Sequence, residues 1–186
     1  AAMATVRSEY PGSFITVDVD ASAVGYFVDV PAGTYSWHTT KFISMYAVFN
    51  FKTGASVTSF NNVEFMGITL TTDATSGTPA FVAYGPGLST NVITLREASG
   101  VVDNGPGFIP VVQSAAGVGG IYFFLLAGAG MLQSGPSSSA VVDANGGLLY
   151  FYMEDNTYIK SRCVSSTTGT PTATVTYASP SADASG

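Results

Sequence analysis

Charge is what this chain most lacks: Lys, Arg, Asp and Glu together make up 10% of 186 residues, against about 25% in an ordinary soluble domain. With six basic residues against twelve acidic ones and a net charge of −6, no basic field exists to hold a phosphate backbone, which excludes nucleic acid as an expected partner. One cysteine, Cys163, leaves no partner for an internal disulfide, so the fold is not a stapled secreted scaffold. One histidine, His38, with no Gly-x-Ser-x-Gly elbow, leaves a triad almost nothing to be built from. Zinc needs about four ligands drawn chiefly from Cys and His, and the chain holds two such residues in total. Phosphate loops of the Gly-x-x-x-x-Gly-Lys type are missing, and none of the asparagines stands in an Asn-x-Ser/Thr sequon. Ala1 to Thr5 is a short neutral run without the apolar core of a secretory leader.

Long hydrophobic runs are also wanting. Ile121 to Leu132 (IYFFLLAGAGML) is the most membrane-like stretch, and it falls short of the roughly 20 residues a spanning helix requires. It reads as a core strand and a turn, so no membrane insertion is expected.

What is present is β-strand chemistry. Apolar residues make up 46% of the chain, and Phe (12) and Tyr (10) are frequent; disorder is excluded by that balance. Phe14 to Asp20 (FITVDVD) alternates with Ile15, Val17 and Val19 on one face. Lys41 to Lys52 (KFISMYAVFNFK) is a mixed apolar run whose aromatic and β-branched content favours a buried strand. Further strands are expected at 34–40, 56–60, 63–71, 79–84, 92–97, 108–113, 120–126, 147–153, 158–164 and 172–177, separated by Gly, Pro and Asn clusters such as Asp103-Asn104-Gly105-Pro106-Gly107. No internal repeat stands out at a fixed period. Ten to twelve short strands with such punctuation predict an all-β, antiparallel two-sheet β-sandwich, jelly-roll-like, over residues 1–177, followed by a flexible tail at 178–186.

Thr34, Ser36, His38 and Thr40 fall on one strand face opposite Tyr35 and Trp37, which makes His38 a surface residue on a polar face. No catalytic residues and no cofactor are expected, and a hydrolase built on His38 or on a Cys163–His38 dyad is the least favoured reading. Calcium is the one ion whose hard oxygen ligands could converge: Asp18 and Asp20 lie two apart on a strand face, and Asp155 lies in an acidic turn with Glu154 and Asn156. Tyrosine is a favoured contact residue, and Tyr84, Tyr150, Tyr152 and Tyr158 are the candidate binding surface.

The segment Tyr26 to Trp37 (YFVDVPAGTYSW), with its strand, Pro-x-Gly turn and aromatic strand, the Thr/Ser/Gly/Ala/Val-rich strands, and the polar tail Ser165 to Gly186 resemble the protruding domains of coat proteins of small non-enveloped RNA viruses, in the nodavirus, tombusvirus and insect tetravirus-like groups. The resemblance implies a virion-surface spike that self-associates as a dimer or trimer and engages a host receptor or glycan. In some of these groups calcium clamps the spike subunits, which would involve Asp18, Asp20 or Asp155. The alternative from another class is an extracellular bacterial or phage adhesin or carbohydrate-binding module, distinguished by an aromatic platform for sugar stacking.

Overall fold

A computed structural model of the chain describes residues 15–18, 27–84, 91–103, 109–115, 120–126, 128, 130–133, 140–159, 163–166 and 172–177. Its strands in chain order are β1 (Ile15–Asp18), β2 (Phe27–Val30), β3 (Gly33–Phe51), β4 (Ala55–Thr72), β5 (Phe81–Ala83), β6 (Val92–Arg96), β7 (Gly100–Asp103), β8 (Val112–Ser114), β9 (Gly120–Leu126), β10 (Gly130–Gln133), β11 (Val142–Asp143), β12 (Leu148–Met153), β13 (Tyr158–Ile159), β14 (Val164–Ser165) and β15 (Thr172–Tyr177). Strand positions agree closely with the sequence reading at β9, β12 and β15, whereas β7 and β11 fall where no strand was expected. The tail at 178–186 lies outside the described residues.

The expected antiparallel sandwich is not what forms. Nine strands in the spatial order β14-β11-β8-β5-β4-β6-β9-β12-β15 make one open, curled, all-parallel sheet, a half-barrel, with the remaining strands attached to it. Every pairing is parallel, beginning with β3 on β4. β4 passes successively beneath β5, β6 and β7. Those three lie in turn beneath β8, β9 and β10, and the next turn, β11, β12 and β13, follows the same plan. The chain therefore winds as a coil, each turn laid over the one before, which is how parallel strands obtain their long crossovers without helices. Val57, Phe81, Val112, Val142 and Val164 stand over one another, so successive turns take 24, 31, 30 and 22 residues. That unequal spacing hides the repeat from a search at fixed period.

Along β9 and β12 one side of the strand faces the interior of the coil and the other the surface, so alternation survives there as it would in an antiparallel sheet, whereas β5 and β11 are buried on both sides. Thr40, Val63, Ile93, Phe123 and Phe151 form one inward row, and Phe42, Phe65, Leu95, Leu125 and Met153 form the next, all 5% exposed or less. Phe42 stacks on Phe65 at 5.3 Å and 9°, and Phe123 on Phe151 at 5.3 Å and 10°. Trp37 fills the early turns, with ring centroids between 4.8 and 6.5 Å from Phe42, Phe51, Phe65 and Phe81. Cys163 is buried, and its carbonyl accepts the Val142 N–H at 3.0 Å, continuing the ladder in which Val112 bonds Val141 and Phe81 bonds Val111.

Corners explain a local departure from simple alternation. Thr39 (φ 48°) and Asn62 (φ 53°) lie over each other in left-handed conformations, and the turn they make sends Thr40 inward, fully buried, its hydroxyl on the His38 carbonyl at 2.9 Å. His38 itself is half-buried beside this corner. At the next corner Gly67 has φ +66°, and a Cβ there would sit 1.9 Å from the Ser44 carbonyl oxygen. The Gly67 N–H bonds the Glu97 carbonyl at 3.0 Å. Ser99 Oγ accepts the Ile68 N–H at 3.1 Å and shares its proton between the carbonyls of Arg96 and Phe65, at 2.7 and 3.0 Å.

Gly67→Ala is accordingly expected to lower unfolding stability by roughly 3 kcal/mol or more, from combined backbone strain and steric overlap. Gly77→Ala, at φ +103° with nothing within 4 Å of the added carbon, should cost only the conformational strain, about 1–2 kcal/mol. Urea unfolding of both variants measures the difference, and equal losses would remove the steric part of this account.

Candidate functional site

On β9, Ile121, Phe123 and Leu125 point into the core while Tyr122, Phe124 and Leu126 are half-exposed; on β12, Leu149, Phe151 and Met153 are buried while Leu148, Tyr150 and Tyr152 reach the surface. Parallel register sets Tyr122 against Tyr150 and Phe124 against Tyr152. The first pair stacks at 4.7 Å and 15°, and the second is tilted at 5.5 Å and 41°. The result is a contiguous aromatic face on the outside of the coil. Exposed apolar patches of this kind mark contact surfaces.

Its borders are defined by the same register. Val92 and Thr94 of β6 flank the aromatics on the earlier turn, and Thr174 and Thr176 of β15 flank them on the later one, both exposed. Stacked rings turn their faces toward one another and toward these flanking residues, so ring edges and the tyrosine hydroxyls are what point outward. Beyond β6 the face becomes ionic. Glu64 receives Lys41 Nζ at 2.9 Å and Arg96 Nε at 3.2 Å on the same carboxylate oxygen, two cations around one anion. All are partly exposed, so solvent screening keeps each pair's contribution small.

No family model matches the chain. Neither a curated protein nor a solved structure does.

Of the residues singled out by sequence, Tyr150 and Tyr152 come together on this face. Tyr158 lies on β13, 46% exposed, and Tyr84 follows β5, 56% exposed, so neither shares the face of the other two. The calcium candidates are spread out: β1, which ends at Asp18, lies beside β3, Asp155 is exposed in the turn after β12, and five strand spacings separate them, about 24 Å. Asp20 lies outside the described residues. Among the described residues no group of three or more His, Cys, Asp or Glu could hold a metal.

Tyr122 and Phe124, which complete the aromatic face, are not among the residues that sequence reasoning picks out. Their signal is nonetheless there: Ile121-Tyr122-Phe123-Phe124-Leu125 and Leu149-Tyr150-Phe151-Tyr152-Met153 are the same pattern 28 residues apart, the spacing of one turn.

A second polar cluster lies on the face formed by β2, β3 and β4. Lys52 Nζ contacts Asp73 at 2.7 Å and Asp29 at 3.1 Å, and Asn50 Nδ2 lies 3.3 Å from Asp29 and 3.5 Å from Asp73. The hydrogen bond to Asp73, then that to Asp29, holds the Lys52 ammonium above its ordinary value of 10.5. A raised lysine favours the folded state fully below its ordinary value and loses that contribution as pH rises through the folded one. Replacing Asp73 by Asn should bring the Lys52 titration back toward 10.5, as followed by NMR; an unchanged midpoint would remove Asp73 as the main cause.

Proposed function

We propose that the chain is a non-catalytic structural module of a virion surface, projecting outward and assembling with copies of itself, with host receptor or glycan attachment on surfaces left free by assembly. The observation that carries this reading is the aromatic face of β9 and β12. Tyrosine and phenylalanine in an uncharged centre with charge at the margin is the composition of a protein–protein contact. The hydroxyl-rich remainder of the surface, poor in charge, suits display outside a cell or on a particle. Exposed single aromatics such as Tyr84 and Tyr158 are the surfaces that attachment would use.

The adhesin or carbohydrate-module reading needs a ring face turned outward for a sugar to lie on. Tyr122 and Tyr150 spend those faces on each other, at 4.7 Å and 15°, which weighs against a sugar platform at this site.

Light scattering of the intact chain should give an oligomer, and Tyr150→Thr with Tyr152→Thr should give a folded monomer. Those substitutions extend the threonine pattern of β15 across β12, so they test the surface rather than the fold. A wild-type chain that stays monomeric at about 100 μM, well above the Kd of a specific interface, would refute the assembly reading. Binding of the same protein to a glycan array separates attachment from a purely architectural role.

A further inference from the structure

We propose that this face is an isologous homodimer interface whose two-fold axis runs along β9, an inference that rests on the assembly reading above. Arg96 pairs in register with Leu126, and the Glu154 N–H on the Leu125 carbonyl at 2.9 Å carries the β9–β12 register one residue further. Arg96, Leu126 and Glu154 therefore occupy one row across β6, β9 and β12, with neighbours about 5 Å apart. The row is basic at one end, apolar in the middle and acidic at the other, where exposed Asp155 adds a second carboxylate. The next two outward rows on one side, Thr94 to Tyr152 and then Val92 to Tyr150, are uncharged across the same three strands.

A two-fold axis lying in the interface along β9 sets β9 against β9 and exchanges β6 of one copy with β12 of the other. Arg96 of each copy then meets the Glu154-Asp155 turn of its partner, twice over, around a centre of aromatics and leucine. An axis along β12 would instead set Arg96 beyond the end of the partner's face, and an axis across the strands would set it against apolar residues. Only the placement along β9 matches charge with opposite charge. Arg96 remains 37% exposed in its side chain while its Nε is engaged by Glu64, and a guanidinium has further N–H donors for a second carboxylate. Lys41 shares that carboxylate, so two cations surround the Glu64 anion there, with Glu97 exposed at the corner just after Arg96. Self-complementary patches of this kind are what two-fold symmetry demands, and opposed charges fix their register.

Charge exchange tests the register in the intact chain. Sedimentation equilibrium should show a wild-type dimer, a weakening of at least roughly tenfold in Kd for Arg96→Glu and for Glu154→Arg alone, and recovery to within about threefold in the double variant, with circular dichroism confirming the fold of each. Independently of those variants, Leu126→Cys should be captured as a dimer by a short bis-maleimide, and Tyr46→Cys, on another part of the surface, should not. The β9 axis is overturned, while the assembly reading stands, by a dimeric wild type whose single variants are unaffected, whose double variant fails to recover, or whose Leu126→Cys variant does not cross-link. A monomeric wild type overturns both.

Discussion

Everything in this coil depends on parallel register, the requirement that each turn place its strands directly over those of the turn before. The N–H of Val57, Phe81, Val112 and Val142 each bonds a carbonyl on the following turn, at 2.7 to 3.0 Å, and side chains then have no choice but to stack on their counterparts. Inside the coil this gives Phe42 on Phe65 and Phe123 on Phe151. Outside it gives Tyr122 on Tyr150. Core and candidate site are thus two products of one constraint, and a substitution on either side of β9 is felt by the strands above and below it.

Corners are where that constraint is hardest to meet, because the backbone must turn without leaving buried polar groups unpaired. Left-handed conformations at Thr39, Asn62 and Gly67 make the turns. Ser99 supplies through its side chain the bonds that a straight strand would have supplied through its backbone. Short polar residues and a glycine at the corners serve the same end as the large apolar residues between them, since both let one turn settle on the next.

Along the outer face the register lays out a gradient. Lys41, Glu64 and Arg96 lie on the early turns, the aromatics on β9 and β12, and exposed threonines on β15. Such a face is directional: its two ends differ in charge while its middle is apolar. Direction of this kind lets an assembling module choose one register over another.

The sequence by itself determined that the chain is β-stranded, where β9, β12 and β15 run, which residues of β9 and β12 alternate inward, and that Tyr150 and Tyr152 share a side. These follow from a period of two that is written locally and reads the same whether a neighbour runs parallel or antiparallel. The outer side stays partly exposed along β9 and β12, so their apolar runs, Ile121 to Leu126 and Leu148 to Met153, read equally well as strands of a sandwich, and glycine and asparagine breakers that mark coil corners read as hairpin turns. Only the tertiary structure decided strand direction, the stacking of Tyr122 on Tyr150, the alignment of Arg96 with Leu126 and Glu154, and the inward turn of Thr40 at a corner. Those depend on which segment lies over which, a choice made by packing between residues 22 to 31 positions apart, and unequal turns leave no fixed period from which it could be read.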